Sequence, residues 1–239
     1  MEKILSIVIP VWNKSHFTKA CVNDLSQLPD DHEIVIVDNN STDDTHQLLS
    51  ENKRIVYQRN PENLGFAKAC NVGYGIASAP NVLFLNNDIR VRSNHTDWTK
   101  PLLEHCETSL VGPTMGQLDN NLNFVQEANK ELPGKSYMSG WCLASSKKVF
   151  EKLRLPNARS LLLTDVLDPI INAPEIFSEE FGLAYFEDTD LSFRAKKLGI
   201  PFKVVEIPVV HFGKQTSSQL NTYKLYSAAK QIFVKKWGK

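Results

Sequence analysis

The densest group of ionisable side chains in this 239-residue chain is Glu187-Asp188-Thr189-Asp190, followed by Arg194. A carboxylate at the mouth of a helix, next to a second one, can acquire a pKa suited to general-base work. Asp188 also stands where a helix N-cap would, and spacing alone supports both readings equally. Asp190 and Arg194 are spaced i, i+4 and read as a structural ion pair. Two other candidates lie far away in sequence. Asn86, Asn87 and Asp88 follow the apolar run Val82 to Leu85, and His211 closes the run Pro208-Val209-Val210. Alone, Asn-Asn-Asp is turn chemistry, and a lone histidine is usually structural. Brought together, Asp88 and His211 are donors of the types used at catalytic divalent-cation sites with open positions.

Whether they meet depends on the elements that carry them. Residues 4–10, 33–37, 54–58 and 82–85 are short apolar, β-branched runs and read as buried strands. Phe17, Cys21, Leu25 and Leu28 recur at helical spacing. Ser41-x-x-Asp44 resembles a capping box opening a helix through Leu49. Residues 65–79 are helical in period, although Gly73 and Gly75 count against a helix. The first ninety residues therefore read β-α-β-α-β-α-β, which implies parallel strands with crossover helices. In such an open sheet, ligands collect beyond the carboxyl ends of the strands. Trp12-Asn13, Asp38-Asn39-Asn40 and Asn86-Asn87-Asp88 then share one rim, and a nucleotide site is the expectation.

Beyond residue 100 the alternation loosens. Helices are expected over 98–106, 147–153 and 188–198, the last stopped by Gly199 and Pro201. Strands are expected over 109–113, 123–126, 137–144 and 202–205, and Tyr223, Tyr226, Ala229, Ile232 and Phe233 mark an amphipathic closing helix. Residues 155–177 read as an excursion on the substrate side. With no repeat or linker, one continuous domain over 1–239 is expected. Residues 1–100 would form its nucleotide-binding half and 101–239 the other half.

Composition narrows the class. Hydrophobic residues make up 42% and charged residues 23%, with zero formal net charge, so nothing global points to nucleic acid. No acid follows Glu206, while Lys214, Lys224, Lys230, Lys235, Lys236 and Lys239 do. That basic end is a candidate contact for the inner face of an anionic membrane, and equally a solvated helix face. Four separated cysteines without a C-x-x-C pair or secretory leader read as free thiols in the cytoplasm. The chain has no G-x-G-x-x-G after the first strand and no G-x-x-x-x-G-K-[ST]. Phosphate must then be held by metal, lysine or helix N-termini.

Seven segments in order carry a more specific signal: SIVIPVWNK, EIVIVDNNSTDDT, NPENLGFAKACNVG, VLFLNND, SGWCLASSKKVF, YFEDTDLSFRAKKLG and VVHFGKQTS. Together they resemble a family 2 glycosyltransferase of the GT-A fold, an α/β architecture with a mostly parallel central sheet flanked by helices. The similarity is to rhamnosyltransferases and other builders of bacterial surface polysaccharide. It implies an inverting transferase using a UDP- or dTDP-sugar, Mg2+ or Mn2+, and a glycan or lipid-linked glycan acceptor. By the same resemblance, Pro10, Val11 and Trp12 line the base pocket and Asp38 hydrogen-bonds a pyrimidine. Asn40 joins that donor set, and Asn63, Phe66 and Lys68 flank the nucleotide. Gly140 and Trp141 border the donor sugar, Asp188 is the base, and Glu187 and Trp141 meet the acceptor. Asp88 and His211 hold the metal, with residues 215–217 in a loop over the diphosphate. Asn86 and Asn87 stand at the D-x-D position, where Asn86 replaces the first acid. Metal binding is therefore expected to be weak without nucleotide.

Two rivals remain at this point. A sugar-1-phosphate nucleotidyltransferase normally shows a Gly-rich loop after the first strand, where this chain reads PVWNK. A non-catalytic nucleotide-sugar or glycan binding module of the same fold would bind donor without hydrolysing it.

Overall fold

A computed structural model describes residues 1–92, 97–156, 170, 172–213 and 221–238. Most of the excursion expected over 155–177 and the loop expected at 215–217 lie outside the described residues. The first half forms β1 (Leu5–Val11), α1 (Ser15–Leu25), β2 (His32–Asp38), α2 (Thr45–Leu49), β3 (Ile55–Arg59), α3 (Phe66–Ile76) and β4 (Asn81–Leu85). Next come β5 (Ile89–Val91), α4 (Lys100–Leu103), β6 (Leu110–Gly112), β7 (Met115–Leu118), β8 (Phe124–Ala128), β9 (Ser136–Met138) and β10 (Cys142–Ser146). The chain closes with α5 (Lys147–Leu153), α6 (Glu187–Lys197), β11 (Phe202–Val204), β12 (Val209–His211) and α7 (Thr222–Trp237).

The central sheet has the order β11-β6-β10-β4-β1-β2-β3. β1 pairs in parallel with both β2 and β4, and β2 in parallel with β3. β10 enters antiparallel between β4 and β6. This is the mostly parallel α/β sheet the sequence implied, with one reversed strand inside it.

Alternation along the strands sorts the core into two layers. Leu5, Ile7, Ile9, Ile34, Ile36, Leu83 and Leu85 face α1 and the Trp98–Cys106 segment. Val8, Val35, Val37, Val82 and Phe84 face α3, α5 and α6. Gly73, which counted against a helix, is what lets α3 lie close: a Cβ there would sit 2.2 Å from Val8 Cγ1.

Four local expectations are corrected. The single strand expected over 137–144 is two strands in different sheets, β9 beside β7 and β10 beside β4, with Ser139-Gly140-Trp141 crossing between them. Ser41 forms no capping box. Its hydroxyl donates to Asp38 Oδ1 (2.6 Å), and α2 begins only after Asp44. Asp188 is not an N-cap, because α6 starts at Glu187 with Phe186 in the cap position. Regular helix in the 98–106 segment is confined to Lys100–Leu103. The four cysteines are free and buried.

α7 closes over the end of α6. Asp190, wholly buried, accepts from Arg194 Nε (2.8 Å), Lys236 Nζ (2.8 Å) and the Trp237 indole (2.9 Å). The i, i+4 ion pair is present, and a second cation from α7 joins it. A buried carboxylate needs such partners, because the desolvation cost otherwise outweighs any gain. Lys230 bonds Asn123 and Lys236 also bonds Glu180, so two lysines of the basic end are used within the fold.

Candidate active site

The rim where β1, β2 and β4 end collects the expected residues by simple geometry. β10 runs the other way, and Cys142 pairs with Leu85, so the residue before β10 lies opposite the residue after β4. Asn86 N–H accordingly donates to the Trp141 carbonyl (2.8 Å). The chain bends at Asn87 and Asp88, and the side chains of the Asn-Asn-Asp triplet go two ways. Asn87 turns inward, 4% exposed, and donates to Thr18 Oγ1 on α1 (2.8 Å). Asn86 and Asp88 turn toward His211, whose Nε2 lies 3.3 Å from Asn86 Nδ2 and 3.1 Å from Asp88 Oδ1.

β5 and β12 deliver this contact. They pair antiparallel with His211 opposite Ile89, and Phe212 N–H donates to the Asp88 carbonyl (2.9 Å). The Trp141 ring lies flat on the His211 imidazole, with centroids 4.6 Å apart and planes 11° apart. Asp88 is nearly buried and His211 is 22% exposed by its side chain. Two donors bound to one cation at about 2.1 Å and at right angles stand about 3.0 Å apart. The Asp88–His211 pair already has that separation, so these two residues fit a pair of ligands to one divalent metal. Among the described residues, no group of three or more His, Cys, Asp or Glu could hold an ion alone.

The candidate base sits across the 139–141 crossover. Tyr185 and Phe186 adopt left-handed backbone (φ 81° and 69°), costing about 1–3 kcal/mol each, just before Glu187. Phe186 is held down by Phe233 (centroids 4.9 Å apart) and Tyr226 (5.2 Å), both on α7. Asp188 lies in the first turn of α6, with Oδ2 accepting from Gly140 N–H (2.9 Å) and Oδ1 from Thr189 N–H (2.6 Å). Desolvation pushes the Asp188 carboxyl up, and the Gly140 and Thr189 bonds oppose it. Glu187 is 8% exposed, and its Oε2 has no hydrogen-bond partner among the described residues. Desolvation first, and Asp188 second, push the Glu187 carboxyl up as well. Glu187 is the group more readily protonated and Asp188 the one more readily ionised, the division expected of an acid–base pair with unequal surroundings.

The donor side is organised by polar loops. Asp38 is completely buried, and Oδ1 accepts from Ser41 N–H (2.8 Å) and Oγ (2.6 Å). Its Oδ2 accepts from Tyr57 OH (2.6 Å) and Arg59 Nη1 (3.4 Å). Asn40 sits at φ 60°, donates to the Pro61 carbonyl and accepts from Arg59 Nη2 (2.8 Å). Val11 belongs to the core, while Pro10 and Trp12 are half-buried beside it. Asn63 Oδ1 accepts from Gly65 N–H (3.0 Å). Phe66 packs edge-on against Phe177, and Lys68 is half-buried on α3. Gly65 is pinned there, since a Cβ would stand 2.7 Å from Leu183 Cα.

The structure therefore joins Asn86, Asp88, Trp141 and His211 in one corner and Gly140, Glu187 and Asp188 in the next. Asn87 is directed away, and Val11 and Asp38 are enclosed. Two residues the sequence reading passed over, Thr114 and Glu127, touch both corners: Trp141 Nε1 donates to Thr114 Oγ1 (2.9 Å) and Ser139 Oγ to Glu127 Oε1 (2.7 Å). Only the pairing of β7 with β8 and β9 brings them there, and no local motif marks them.

Comparison with known proteins identifies the family and the fold. The glycosyl transferase family 2 model matches residues 6–140, more than half of the chain. Glycosyltransferase GlyG of Streptococcus pneumoniae is 29% identical over 101 residues, covering 39% of this chain and 33% of its own. The chain spans 27% and 33% of the lengths of the first curated relatives it matches. Among solved structures, GalNAc-T7 with UDP, GalNAc and Mn2+ superposes with a TM-score of 0.60 at 15% identity, covering 88% of this chain and 44% of its own. The mannosyltransferase PcManGT of Pyrobaculum calidifontis, in complex with GDP-Man and Mn2+, gives 0.52 at 14% identity, covering 86% and 58%. With the family model spanning the three rim-forming strands and these folds covering 86–88% of the chain, the chain belongs to glycosyltransferase family 2 and has the GT-A fold.

Proposed function

We propose that this chain is an inverting glycosyltransferase moving a sugar from a UDP- or dTDP-sugar to a glycan or lipid-linked glycan. The observation that carries the reading is the adjacency of Gly140 and Trp141. One cradles the Asp188 carboxylate and the next lies flat on His211 beside Asp88. A candidate base and a candidate metal corner are thus tied to consecutive residues.

In this reading Asp188 takes the proton of the acceptor hydroxyl as its oxygen attacks the anomeric carbon from the face opposite the diphosphate. The new glycosidic bond forms as the bond from that carbon to the diphosphate oxygen breaks. Two N–H donors hold the carboxylate in place, so little reorganisation is needed at the moment of transfer. A base of this type contributes about 10²–10⁴ in rate. Asp88 and His211 would hold Mg2+ or Mn2+, which supplies a Lewis acid for the charge growing on the leaving phosphate. Mn2+ in GalNAc-T7 and in PcManGT supports a divalent metal.

The remaining roles are proposals of the same standing. Asn86 meets the ribose, Pro10 and Trp12 the base, and Asn63, Phe66 and Lys68 the nucleotide. Val11 supports the base pocket from the core, Asn40 holds the turn beside it, and Asn87 anchors the motif to α1. Asp38 reaches a pyrimidine once Tyr57 or Arg59 releases its Oδ2, because Ser41 occupies Oδ1. Glu187 and Trp141 border the acceptor. One catalytic domain, and contact of exposed Lys224 and Lys235 with an anionic membrane face, complete the proposal. No helix among the described residues is long and apolar enough to cross a membrane.

The test is a panel of nucleotide sugars incubated with and without Mn2+. Metal-dependent hydrolysis of a UDP- or dTDP-sugar is expected, even without acceptor. Donor binding with no hydrolysis or transfer would instead favour a non-catalytic nucleotide-sugar binding module of the same fold.

A further inference from the structure

We propose that Glu127 is a positioning residue of this site, one carboxylate oxygen anchoring both the segment that cradles Asp188 and the ring that supports His211. Glu127 lies on β8, opposite Gly116 of β7. Its Oε1 accepts from Ser139 Oγ (2.7 Å) and from Thr114 Oγ1 (2.7 Å). Ser139 precedes Gly140, whose N–H donates to Asp188 (2.9 Å). Thr114 in turn accepts from the Trp141 indole (2.9 Å), and Trp141 lies flat on His211.

The direction of this relay is fixed by chemistry. An indole N–H can only donate, so the Thr114 oxygen accepts it and the Thr114 proton must go elsewhere. The Glu127 carboxylate only accepts, and it takes hydrogen bonds from both the Thr114 and the Ser139 hydroxyls. Two short hydrogen bonds to a charged acceptor make this oxygen a stronger anchor than a neutral group would be.

The same carboxylate acts on Asp188 through space. The titratable groups facing Asp188 are Glu187 on its own helix, Glu127 on β8 and Tyr137 on β9. Gly116 makes room for the last, since a Cβ there would stand 2.2–2.4 Å from the Tyr137 ring. None of these three is a cation, and the Glu127 charge helps raise the Asp188 carboxyl toward the range of an effective base. The competing view is that Glu127 merely ties down a hairpin, which would leave Asp188 titration untouched.

This inference rests on the reading of Asp188 as base, and the experiment separates the two. Carboxyl 13C resonances of the whole chain are followed against pH, Asp188 being assigned by its loss in Asp188→Asn. The Trp141 indole 15N–H is assigned by its loss in Trp141→Phe. Glu127→Gln keeps an acceptor but removes the charge. It should lower the Asp188 midpoint and leave the Trp141 resonance in place. Glu127→Ala should lower the midpoint and also shift the Trp141 resonance. An unmoved Asp188 midpoint in Glu127→Gln, or an unmoved indole in Glu127→Ala, overturns the proposal. Normal turnover in Asp188→Asn would overturn the base reading instead, whatever the Glu127 variants do.

Discussion

Adding a single methyl group at residue 140 perturbs the candidate base without touching its charge. A Cβ there would stand 2.9 Å from Asp188 Cβ and 3.2 Å from Asp188 Oδ2. Carbon atoms pack at about 3.5–4.0 Å, so Gly140→Ala must open the gap by about 0.6–1 Å. Asp188 is in the first turn of α6, just after two left-handed residues that α7 holds in place, so the crossover and the carboxylate must share the movement. The 2.9 Å bond from Gly140 N–H to Oδ2 lengthens with it. Overpacking of this size costs about 1–3 kcal/mol of stability, and a misplacement of about 1 Å at a reacting group costs on the order of 10²-fold in rate. The assay is steady-state turnover of whichever nucleotide sugar the Mn2+ panel identifies, with kcat and the donor KM measured separately. A fall of about 10² in kcat with a nearly unchanged donor KM is expected, together with a modestly lower Tm. Wild-type kcat in a folded Gly140→Ala protein would show that close support of Asp188 is irrelevant to turnover.

Three further outcomes follow from the same geometry. With one carboxylate and one imidazole as the proposed protein ligands, calorimetry should find weak Mn2+ binding to the nucleotide-free protein and much tighter binding with UDP present; tight nucleotide-free binding that survives His211→Ala would contradict this. Glu187, pushed up by burial from 4.5 to about 8, keeps a proton that the unfolded chain has lost, so stability falls as pH rises through that window. Glu187→Gln should therefore raise Tm at pH 9 and match wild type near pH 4.5, whereas parallel Tm curves would refute the burial cost. Phe233, fully buried against Phe186, Phe181 and Phe193, clamps the strained turn before Glu187. Phe233→Ala should cost about 3–5 kcal/mol in a denaturant titration, and a loss under about 1 kcal/mol would mean that α7 does not hold this turn.

Much of this was legible because hydrophobic runs and their polar endings are local signals. The strands of the first ninety residues, the rim formed by Asp38 and Asn86 to Asp88, and the Asp190–Arg194 pair all follow from short-range pattern. β10 was not, because CLASS is as apolar when antiparallel as it would be in a parallel sheet, and strand direction leaves no mark on composition. The sheet switch at Ser139-Gly140-Trp141 was hidden for the same reason, with β9 and β10 merging into one apparent strand. Tyr185 and Phe186 carry no signal of left-handed backbone, which usually falls to Gly or Asn. Asn87 lies in the bend after β4, so strand alternation does not reach it, and its inward turn to Thr18 comes from the placement of that bend against α1. Glu127 and Thr114 depend on pairing between three strands, and only the fold brings them to the crossover.

One substitution decides whether Asp188 is the base. Asp188→Asn keeps size and most hydrogen-bonding capacity while removing the ability to take a proton. Donor binding measured by calorimetry should persist in this variant, while transfer and metal-dependent hydrolysis of the same nucleotide sugar fall by about 10²–10⁴. Turnover at the wild-type rate with donor bound would contradict it.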